Sequence, residues 1–459
     1  MSEIREALTA AGASPFVPKL IDPTLVEYQR RFAPWCRAIP TKKTNSTQYF
    51  FNTRTVVVSG GAVPDGGARN VSTSFYQQGS FTMAHIQAVG SVTGYAQAVT
   101  TDLVDLRATE INGAIKGYYW DIETFCGWGN AASTLNQAQP QFDGLDTQIQ
   151  QFSGGSQNTI DYAGRPLSLS TLDELAVLVG GNAAEVPYNS SWMYVMSLTA
   201  EARIGQLLEA QQRFSSVEIE AGLIVATYKH IPLVPSSFLS TLGYAMGTVT
   251  AATGTTGGTL PASTTYRYQI SAVIARQGEI LPSLEVSQAT GGSTATNVIT
   301  LSFSSPTGQD GLGPQLYKVW RTAAGSAPGS ETFLGYCDST VGLASDGVTP
   351  IVANQIVDTG TTLVPQQSSG TIVPGILPLS YYSTNAAMLP PSAGEENIYL
   401  MSRDPGNIVR PFVREALPLD VYPTTSSPDS MPFAIMGDTC LAVRTPKFVG
   451  RAYRVAVAA

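Results

Sequence analysis

Hydrophobic and polar residues alternate in an extended segment near the start of the chain. In residues 47–58, Phe51 and Val57 share one strand face with two threonines. A turn-rich stretch, 59–70, follows, and a long return strand is predicted over 71–93. Twelve residues at strand rise reach about 40 Å, which is long for a globular protein.

A two-stranded ribbon of this kind is marginally stable alone, so it needs another surface to cover it. The chain's own body is one such surface, but the length of the ribbon favours a neighbouring copy. The apolar ribbon side chains that we expect to make this contact are Phe51, Val57, Phe75 and Phe81.

The segment 99–125 repeats apolar residues at three- and four-residue steps, which predicts a long amphipathic helix. Thr100 or Thr101 can cap its start. Gly113 and Gly117 lie inside it and suggest close backbone contact, because glycine is costly within a helix. The apolar stripe is predicted to include Leu103, Leu106, Ile111, Ile115 and Ile122.

Shorter elements follow the long helix. Helices are predicted over 168–181, capped by Ser170, and over 199–214, capped by Thr199. Strands are predicted over 191–197, 221–236, 396–404, 407–423 and 431–457, and the last of these should tie the C-terminal segment into a sheet.

An insertion is predicted between two stretches rich in Gly, Ser and Thr, 247–264 and 358–371. Only short alternating strands lie between them. This pattern is typical of a β-sandwich of immunoglobulin or fibronectin type III kind that folds as its own unit.

Composition narrows the function. The chain has 459 residues, enough for two or three domains, yet only 13% are charged and the net charge is −8. Such a low charged fraction fits large subunit interfaces or Thr-rich strands. There is no basic run to favour nucleic-acid binding, no signal peptide and no apolar run of bilayer length.

The usual catalytic and metal-binding patterns are missing from the sequence. The two histidines, His85 and His230, are predicted to pack or hydrogen-bond rather than to act as bases. No nucleophile, phosphate-loop or zinc motif occurs. Four cysteines lie far apart and are predicted to be buried thiols; they are Cys36, Cys126, Cys337 and Cys440.

Two carboxylate pairs are the remaining candidates for chemistry, Asp143 with Asp146 and Glu395 with Glu396. Paired acids could serve a glycosidase or bind Ca²⁺. Solvated turn residues are the commoner explanation, and we favour it. We therefore predict no enzyme, no cofactor and no metal.

The order of elements resembles the major capsid proteins of tailed bacteriophages, which have the Hong Kong 97-type fold. The likeness rests on a long ribbon that leads directly into a long helix. The segments that carry it are 47–93, 99–125, 141–146, 171–179, 191–208, 228–236, 398–411 and 433–449.

This resemblance implies an α+β fold with five parts. Residues 1–45 would be the N-arm and 46–95 the ribbon called the E-loop. The peripheral (P) domain with its spine helix would hold 96–184 and 426–459. The axial (A) domain would hold 185–246 and 371–425, and the inserted sandwich 247–370.

The implied function is structural. Hexamers and pentamers would close into an icosahedral head around double-stranded DNA, which they would contact non-specifically, with assembly in the host bacterial cytoplasm. The arm is too short to include a scaffold, so the resemblance implies a separate scaffolding protein and a portal, and it leaves a cement protein open. No lysine lies between Lys43 and Lys116, which argues against the covalent ribbon cross-link of some relatives.

Three alternatives remain open from the sequence. An encapsulin-like compartment would share the fold and enclose cargo enzymes. A β-rich tail protein or adhesin would use the sandwich as its binder. A carbohydrate-active enzyme would use the carboxylate pairs.

Overall fold

The computed structural model describes residues 34–67, 72–100, 105–129, 131, 141–152, 157–209, 216–220, 223–239, 246–274, 278–280, 282–306, 314–338, 354–361, 363–364, 395–420 and 429–457. Most of the predicted N-arm, the end of the ribbon turn and Leu103 of the predicted helix lie outside these ranges.

The helices of the described chain are α1 (Trp35–Ala38), α2 (Gly94–Thr100), α3 (Leu106–Trp128), α4 (Leu145–Gln151), α5 (Leu169–Ala183) and α6 (Leu198–Glu209), with a 3-10 turn at Pro446–Phe448.

The strands of the body are β1 (Thr41–Lys43), β2 (Gln48–Val56), β3 (Phe75–Thr82), β4 (Ala84–Thr93), β5 (Thr159–Asp161), β6 (Trp192–Met196), β7 (Ser216–Glu220), β8 (Leu223–Tyr228) and β9 (Ile231–Pro235). Those of the insertion are β10 (Val249–Gly254), β11 (Thr265–Ile274), β12 (Gly278–Glu279), β13 (Val286–Ala289), β14 (Val298–Phe303), β15 (Pro314–Arg321), β16 (Thr332–Asp338), β17 (Gln355–Asp358) and β18 (Leu363–Val364). The C-terminal strands are β19 (Glu395–Ser402), β20 (Ile408–Asp420), β21 (Ser430–Thr439), β22 (Ala442–Val443) and β23 (Val449–Ala456).

The long helix α3 packs on one sheet, which we call the spine sheet. Its strand order is β1-β20-β21-β4, with β22 paired to β20. Tyr118 and Ile122 of α3 are fully buried against Ile86 and Ile435 of the sheet. Gly437 of β21 lies directly under the Tyr118 ring, where an added Cβ would overlap the phenol. Glycine at this position therefore lets the helix approach the sheet.

The helix begins later than the sequence predicts. Asp105 is its N-cap, and the Asp105 carboxylate accepts a hydrogen bond from Ala108 N at 3.1 Å. Thr100 instead ends the separate helix α2, where its hydroxyl donates to Ala96 O. The predicted cap at Thr100 is wrong because an aspartate satisfies the first amides of α3 directly.

The predicted apolar stripe lies on the sheet side of α3. Ile122 is buried, Ile111 and Ile115 are partly buried against the same core, and Leu106 is half-buried. The expected close contact at Gly113 is not present within the subunit, since nothing lies within 4 Å of a Cβ built there.

The predicted return strand, 71–93, is two strands with a break at Met83. β3 pairs with β2 in the ribbon, whereas β4 pairs with β21 in the spine sheet over ten residues, from Ala84↔Thr439 to Thr93↔Ser430. The strand is interrupted because its two halves have different partners. The ribbon therefore emerges from the edge of the spine sheet.

A seven-stranded sheet forms the second layer of the body, in the order β5-β23-β19-β6-β9-β8-β7. Helix α5 contacts β23 and β19, while α6 contacts β9. The buried cluster includes Leu172, Leu175, Trp192 and Leu233. Because β23 is in this sheet, the prediction that the C-terminal segment pairs in a sheet is confirmed.

Local details of this sheet correct three predictions. The strand predicted over 221–236 is a hairpin, in which Lys229 and His230 both have positive φ, as a two-residue type I′ turn requires. His230 is therefore an exposed turn residue. Ser168 rather than Ser170 precedes α5, and Ser197 rather than Thr199 caps α6, where its hydroxyl accepts from Ala200 N at 3.1 Å.

The insertion contains two sheets, with strand orders β10-β14-β17-β18 and β12-β11-β15-β16, and β13 pairs with β11. Their shared core includes Tyr268, Ile270, Ile299, Leu301 and Val319. The segment therefore has a hydrophobic core of its own. The immunoglobulin or fibronectin type III assignment stays a prediction.

One face of the insertion is not free of the body. Trp320 alternates with Val319 along β15, so its side chain points away from the insertion core, and it is 3% exposed. Trp320 belongs to the buried cluster of the body, the same cluster that contains Tyr118 and Ile122 of α3. Lys318 and Ser271, which pair across β15 and β11, are fully buried as well. The insertion is therefore docked on the body along this face.

The sheets group three elements differently from the predicted domain division. β20, assigned from sequence to the axial domain, pairs in the spine sheet. Helix α5 and strand β23, assigned to the peripheral domain, belong to the seven-stranded sheet. The domain division stays a prediction. A division that follows the sheets would place β20 with the spine helix, and α5 and β23 with the rest of the seven-stranded sheet.

Trp320→Ala should lower the free energy of unfolding of the whole subunit by about 3–5 kcal/mol, because it leaves a cavity in the buried cluster of the body. Chemical denaturation followed by far-UV circular dichroism measures this change in the free energy of unfolding without relying on tryptophan fluorescence. Leu284→Ala is the matched control, since Leu284 is 91% exposed on the same insertion. An unchanged subunit with Trp320→Ala would show that the insertion is attached only through its linkers.

Candidate subunit interface

The ribbon formed by β2 and β3 has a fixed base. Tyr49 is buried, and its ring stacks near Phe51 with centroids 6.4 Å apart. Phe51 in turn stacks on Phe81 at 5.6 Å. Both phenylalanines are partly buried and pack against the core under α3. These three rings attach the ribbon to its own subunit.

An arginine of the body clamps the same base. The Arg444 guanidinium lies 5.5 Å from the centre of the Tyr49 ring and donates a hydrogen bond to the Tyr49 hydroxyl. Arg444 N donates to Asn407 O at 2.9 Å, which fixes the backbone from which the arginine extends. A cation over an aromatic face is favourable, so this contact adds to the packing of the rings.

Among the described residues, none covers the distal half of the ribbon in this way. Val57 and Phe75 are 61% and 63% exposed. Their apolar neighbours Val56, Val58 and Tyr76 are exposed as well, and the turn at 59–67 is exposed throughout. Contiguous apolar surface of this kind marks an interaction site in soluble proteins.

The four ribbon residues named from sequence therefore fall into two pairs. Phe51 and Phe81 contact the body of their own subunit, while Val57 and Phe75 project from it. Contact of any of them with a second subunit stays a prediction. The alternation of apolar and polar residues could not distinguish the buried pair from the exposed pair, because both pairs belong to the same apolar pattern.

The carboxylate pair Asp143 and Asp146 is not a solvated turn. Asp146 is fully buried in α4; its Oδ1 accepts from Arg451 Nη1 at 3.0 Å and from the Tyr399 hydroxyl at 2.9 Å. Burial raises the pKa of Asp146, and Arg451 opposes this rise. Asp143 caps the backbone instead, accepting from Ala131 N at 2.8 Å. The prediction is wrong for Asp146, since this residue is buried and joins α4 to the adjacent strands β23 and β19 of the larger sheet.

The second pair is also divided. Glu396 is buried and accepts a hydrogen bond from Ser197, whereas Glu395 is partly exposed. Adjacent residues of a strand point to opposite faces, so the two carboxylates diverge. Within the residues that the structure describes, no group of three or more His, Cys, Asp or Glu side chains could hold a metal ion.

A buried glutamate that the sequence analysis did not single out attaches the end of the arm. Glu123 of α3 accepts from the backbone amides of Trp35 at 3.2 Å and Cys36 at 2.6 Å, at the start of α1. It also accepts from the Ser236 hydroxyl at 2.9 Å. Burial raises the pKa of Glu123, and these donors lower it. No sequence motif signals this role, because the partners are 87 residues or more away.

Three of the four cysteines and His85 take the roles predicted for them, and the side chain of Cys337 lies outside those that the structure describes. Cys36, Cys126 and Cys440 are buried and free, and burial raises the pKa of Cys440 to about 12. His85 Nδ1 lies 2.7 Å from Asp438 Oδ1, and Arg414 donates to the other oxygen of Asp438 at 2.6 Å. Hydrogen bonds from both partners lower the pKa of Asp438. No helix in the described part of the chain is long and apolar enough to cross a membrane.

The chain resembles solved shell proteins over nearly its whole length. It aligns with the capsid of an empty GTA particle at 7% identity and a TM-score of 0.48, covering 98% of both chains. It aligns with the capsid of Myoviridae phage XM1 at 6% identity and a TM-score of 0.44, covering 95% of this chain and 97% of that one. The holo-SrpI encapsulin complex of Synechococcus elongatus PCC 7942 aligns at 9% identity and a TM-score of 0.43, covering 99% and 98%. No family model and no curated protein matches the sequence.

The expected fold is confirmed by the chain's own elements. It is an α+β fold of the Hong Kong 97 capsid type, in which a ribbon leads into a spine helix on a sheet and a second sheet with two helices lies beside it. The two sheets of the insertion are added to this arrangement.

Asp146→Ala should reduce the free energy of unfolding by about 3–5 kcal/mol, because it leaves the Arg451 guanidinium charged and buried without its carboxylate. Adding Arg451→Met should restore most of the loss, since an apolar pair avoids the desolvation cost. Equilibrium urea denaturation measures both. Asp65→Ala in the exposed turn is the control, and an equal loss in the control and in Asp146→Ala would contradict this role.

Proposed function

We propose that this chain is the major capsid protein of a tailed bacteriophage, a subunit that assembles with copies of itself into a closed shell. The observation that carries the proposal is the ribbon, whose base is fixed to its own subunit while its distal half is apolar and exposed. A structure of this kind completes its packing on a neighbour.

The energy available from that contact is large for each subunit. Burying one large apolar side chain contributes about 1.5–3 kcal/mol. Val57, Phe75 and Tyr76 are each more than half exposed, so several such contributions are unused in the isolated subunit. A shell sums them over every copy.

The contact is directional, and this determines the type of assembly. The ribbon of one subunit would lie on the body of the next, so the two sides of the interface differ. Head-to-tail contacts of this kind form rings when the rotation closes. Rings of six and five subunits, the hexamers and pentamers of an icosahedral head, are the form that we propose.

The proposed contents are double-stranded DNA. The net charge of −8 suits a lining that holds phosphates weakly, so that the genome can be packed and released. A separate scaffolding protein and a portal would be needed, with assembly in the host bacterial cytoplasm. An encapsulin-like shell is the second candidate, and nuclease-resistant DNA inside purified particles would exclude it.

Phe75→Asp should leave a folded, soluble subunit that forms few particles, because Phe75 is exposed in the subunit and its loss costs only the contact with a neighbour. Deleting 59–67, the described part of the turn, should act in the same way. Particle yield in gradient sedimentation and electron microscopy measures this, with the subunit melting temperature as the test of folding.

Phe51→Asp is the informative comparison, since Phe51 packs on its own body. It should lower the melting temperature of the subunit, whereas Phe75→Asp should not. A normal particle yield from Phe75→Asp and from the turn deletion would contradict the proposed role of the ribbon.

The shell should be held without covalent links. No lysine is present from residue 44 to 115, and the described cysteine side chains are buried and free. Particles heated in denaturing detergent without reductant should therefore give a single band at the monomer mass. A ladder of oligomers that persists under these conditions would show a covalent cross-link.

A further inference from the structure

Two glutamates meet at one end of the insertion, away from the ribbon and from the face that docks on the body. Glu285 directly precedes β13 and Glu331 directly precedes β16, and their carboxyl groups are within hydrogen-bonding reach of each other. Glu331 is 7% exposed, and its Oε1 is buried without a hydrogen-bond donor among the described residues. Two ionised carboxylates in contact repel each other, most strongly where little water can screen them. The arrangement therefore favours one proton held between the two groups.

Glu285 is the member of the pair that keeps its negative charge. Its Oε1 accepts a hydrogen bond from Arg267 Nη1 of β11 at 2.7 Å, and its Oε2 accepts one from Gly329 N at 3.0 Å. Burial opposes ionisation, but hydrogen bonds from Glu331 and Arg267 lower the pKa of Glu285 below its ordinary value. Glu285 is thus a carboxylate with a donor on each oxygen.

Glu331 is the member that keeps the proton. Burial raises the pKa of Glu331, and the neighbouring Glu285 carboxylate raises it further. A protonated carboxyl group can donate to Glu285, which turns a repulsive contact into a hydrogen bond. The arginine on the adjacent strand β15, Arg321, is already bonded to Asp358 of the other sheet at 2.7 Å.

The pair controls one end of the loop between β15 and β16, residues 322–331. Backbone amides at the first end of this loop donate to carbonyls of β11 at 2.9–3.0 Å. At the second end, Gly329 N donates to Glu285. Residues 323–330 are exposed except for the half-buried Ser326, so apolar packing contributes little to holding this end. Its attachment therefore depends on the state of the carboxylates.

We propose that Glu285 and Glu331 share one proton and act as a pH-sensitive switch on the loop 322–331. With the proton in place, Glu331 donates to Glu285 and the loop is closed on the sheet. When the proton is lost at higher pH, two adjacent negative charges push the carboxylates apart and the Gly329 end of the loop opens. The switch belongs to the insertion and does not depend on the proposed shell function.

The direction of the pH dependence follows from the two pKa shifts. Since the pKa of Glu331 is raised in the closed loop, the closed form binds this proton more tightly than the open form. This stabilisation is complete below the ordinary glutamate pKa of about 4.3 and is lost as the pH rises through the raised value. The lowered pKa of Glu285 has the opposite effect, because the closed loop loses that carboxylate as the pH falls through the lowered value. The loop should therefore be most stable near the ordinary glutamate pKa and open as the pH rises.

The test uses the full chain and follows the proton and the loop separately. Infrared spectroscopy detects the carbonyl stretch of protonated carboxyl groups as the pH is raised. Because Glu123 and Asp146 also have raised pKa values, the difference between the wild type and Glu331→Gln is used to isolate Glu331. Hydrogen–deuterium exchange of a peptide spanning 322–331, compared with the intrinsic exchange rate at each pH, follows the opening of the loop.

Three variants complete the design. Glu331→Gln keeps the size of the side chain and a donor group but cannot ionise. Glu285→Gln removes the neighbouring charge and keeps an acceptor for Gly329 N. Glu185→Gln is the matched control, because Glu185 is an exposed glutamate outside the insertion.

In the wild type we expect a protonated carboxyl group to persist above the pH at which ordinary glutamates ionise. Protection of the loop should then fall by about tenfold for each pKa unit by which Glu331 is raised. Glu331→Gln should keep its loop protection at high pH, and Glu285→Gln should move the titration of Glu331 to lower pH. Glu185→Gln should behave as the wild type.

Either of two results would overturn the switch. One is a difference spectrum without a protonated carboxyl group above the ordinary glutamate range. The other is loop protection in Glu331→Gln that changes with pH as it does in the wild type. A titration of Glu331 that is unchanged in Glu285→Gln would show that burial alone holds the proton, and it would overturn the pairing of the two groups.

Discussion

The structure depends on one constraint: two strands cannot bury their own side chains. The ribbon of β2 and β3 has two faces, and among the described residues no third strand or helix lies over its distal half. At the base of the ribbon, Tyr49, Phe51 and Phe81 are covered because they pack with the buried cluster of the body. Under the proposed function, the remaining half packs on a neighbouring subunit, which the isolated subunit lacks.

Buried charges hold the parts of the body in register around this ribbon. Glu123 joins the spine helix to the end of the arm, and Asp146 with Arg451 joins α4 to the larger sheet. Such groups are costly to bury and stabilise little compared with apolar side chains of the same size. Their value is that they tolerate only one arrangement, which suits a subunit that must present the same surfaces in every copy.

The sequence predicted elements well and their partners poorly. The ribbon, the long helix and the insertion follow from periodicity and composition, which are local properties. The break at Met83 does not follow from local properties. It arises because the chain pairs with β2 before Met83 and with β21 after it. The sequence favours a solvated Asp146 because an FDGLD turn is usually exposed, and only its distant partners Arg451 and Tyr399 explain its burial. Trp320 likewise reads as one residue of an alternating strand, and its burial in the body's cluster depends on how the insertion docks.

The pairing of β4 has a mechanical consequence. Only Met83 separates this strand from the end of β3 in the ribbon. Ten consecutive residues of β4 pair with β21 at the edge of the spine sheet. Tension on the ribbon, such as internal pressure would produce in a filled container, is therefore passed to the end of β4. The part of that force directed along the strand loads the backbone hydrogen bonds in shear, where they resist together, rather than peeling them apart one at a time. The point at which the ribbon leaves the subunit is thus also built to bear load.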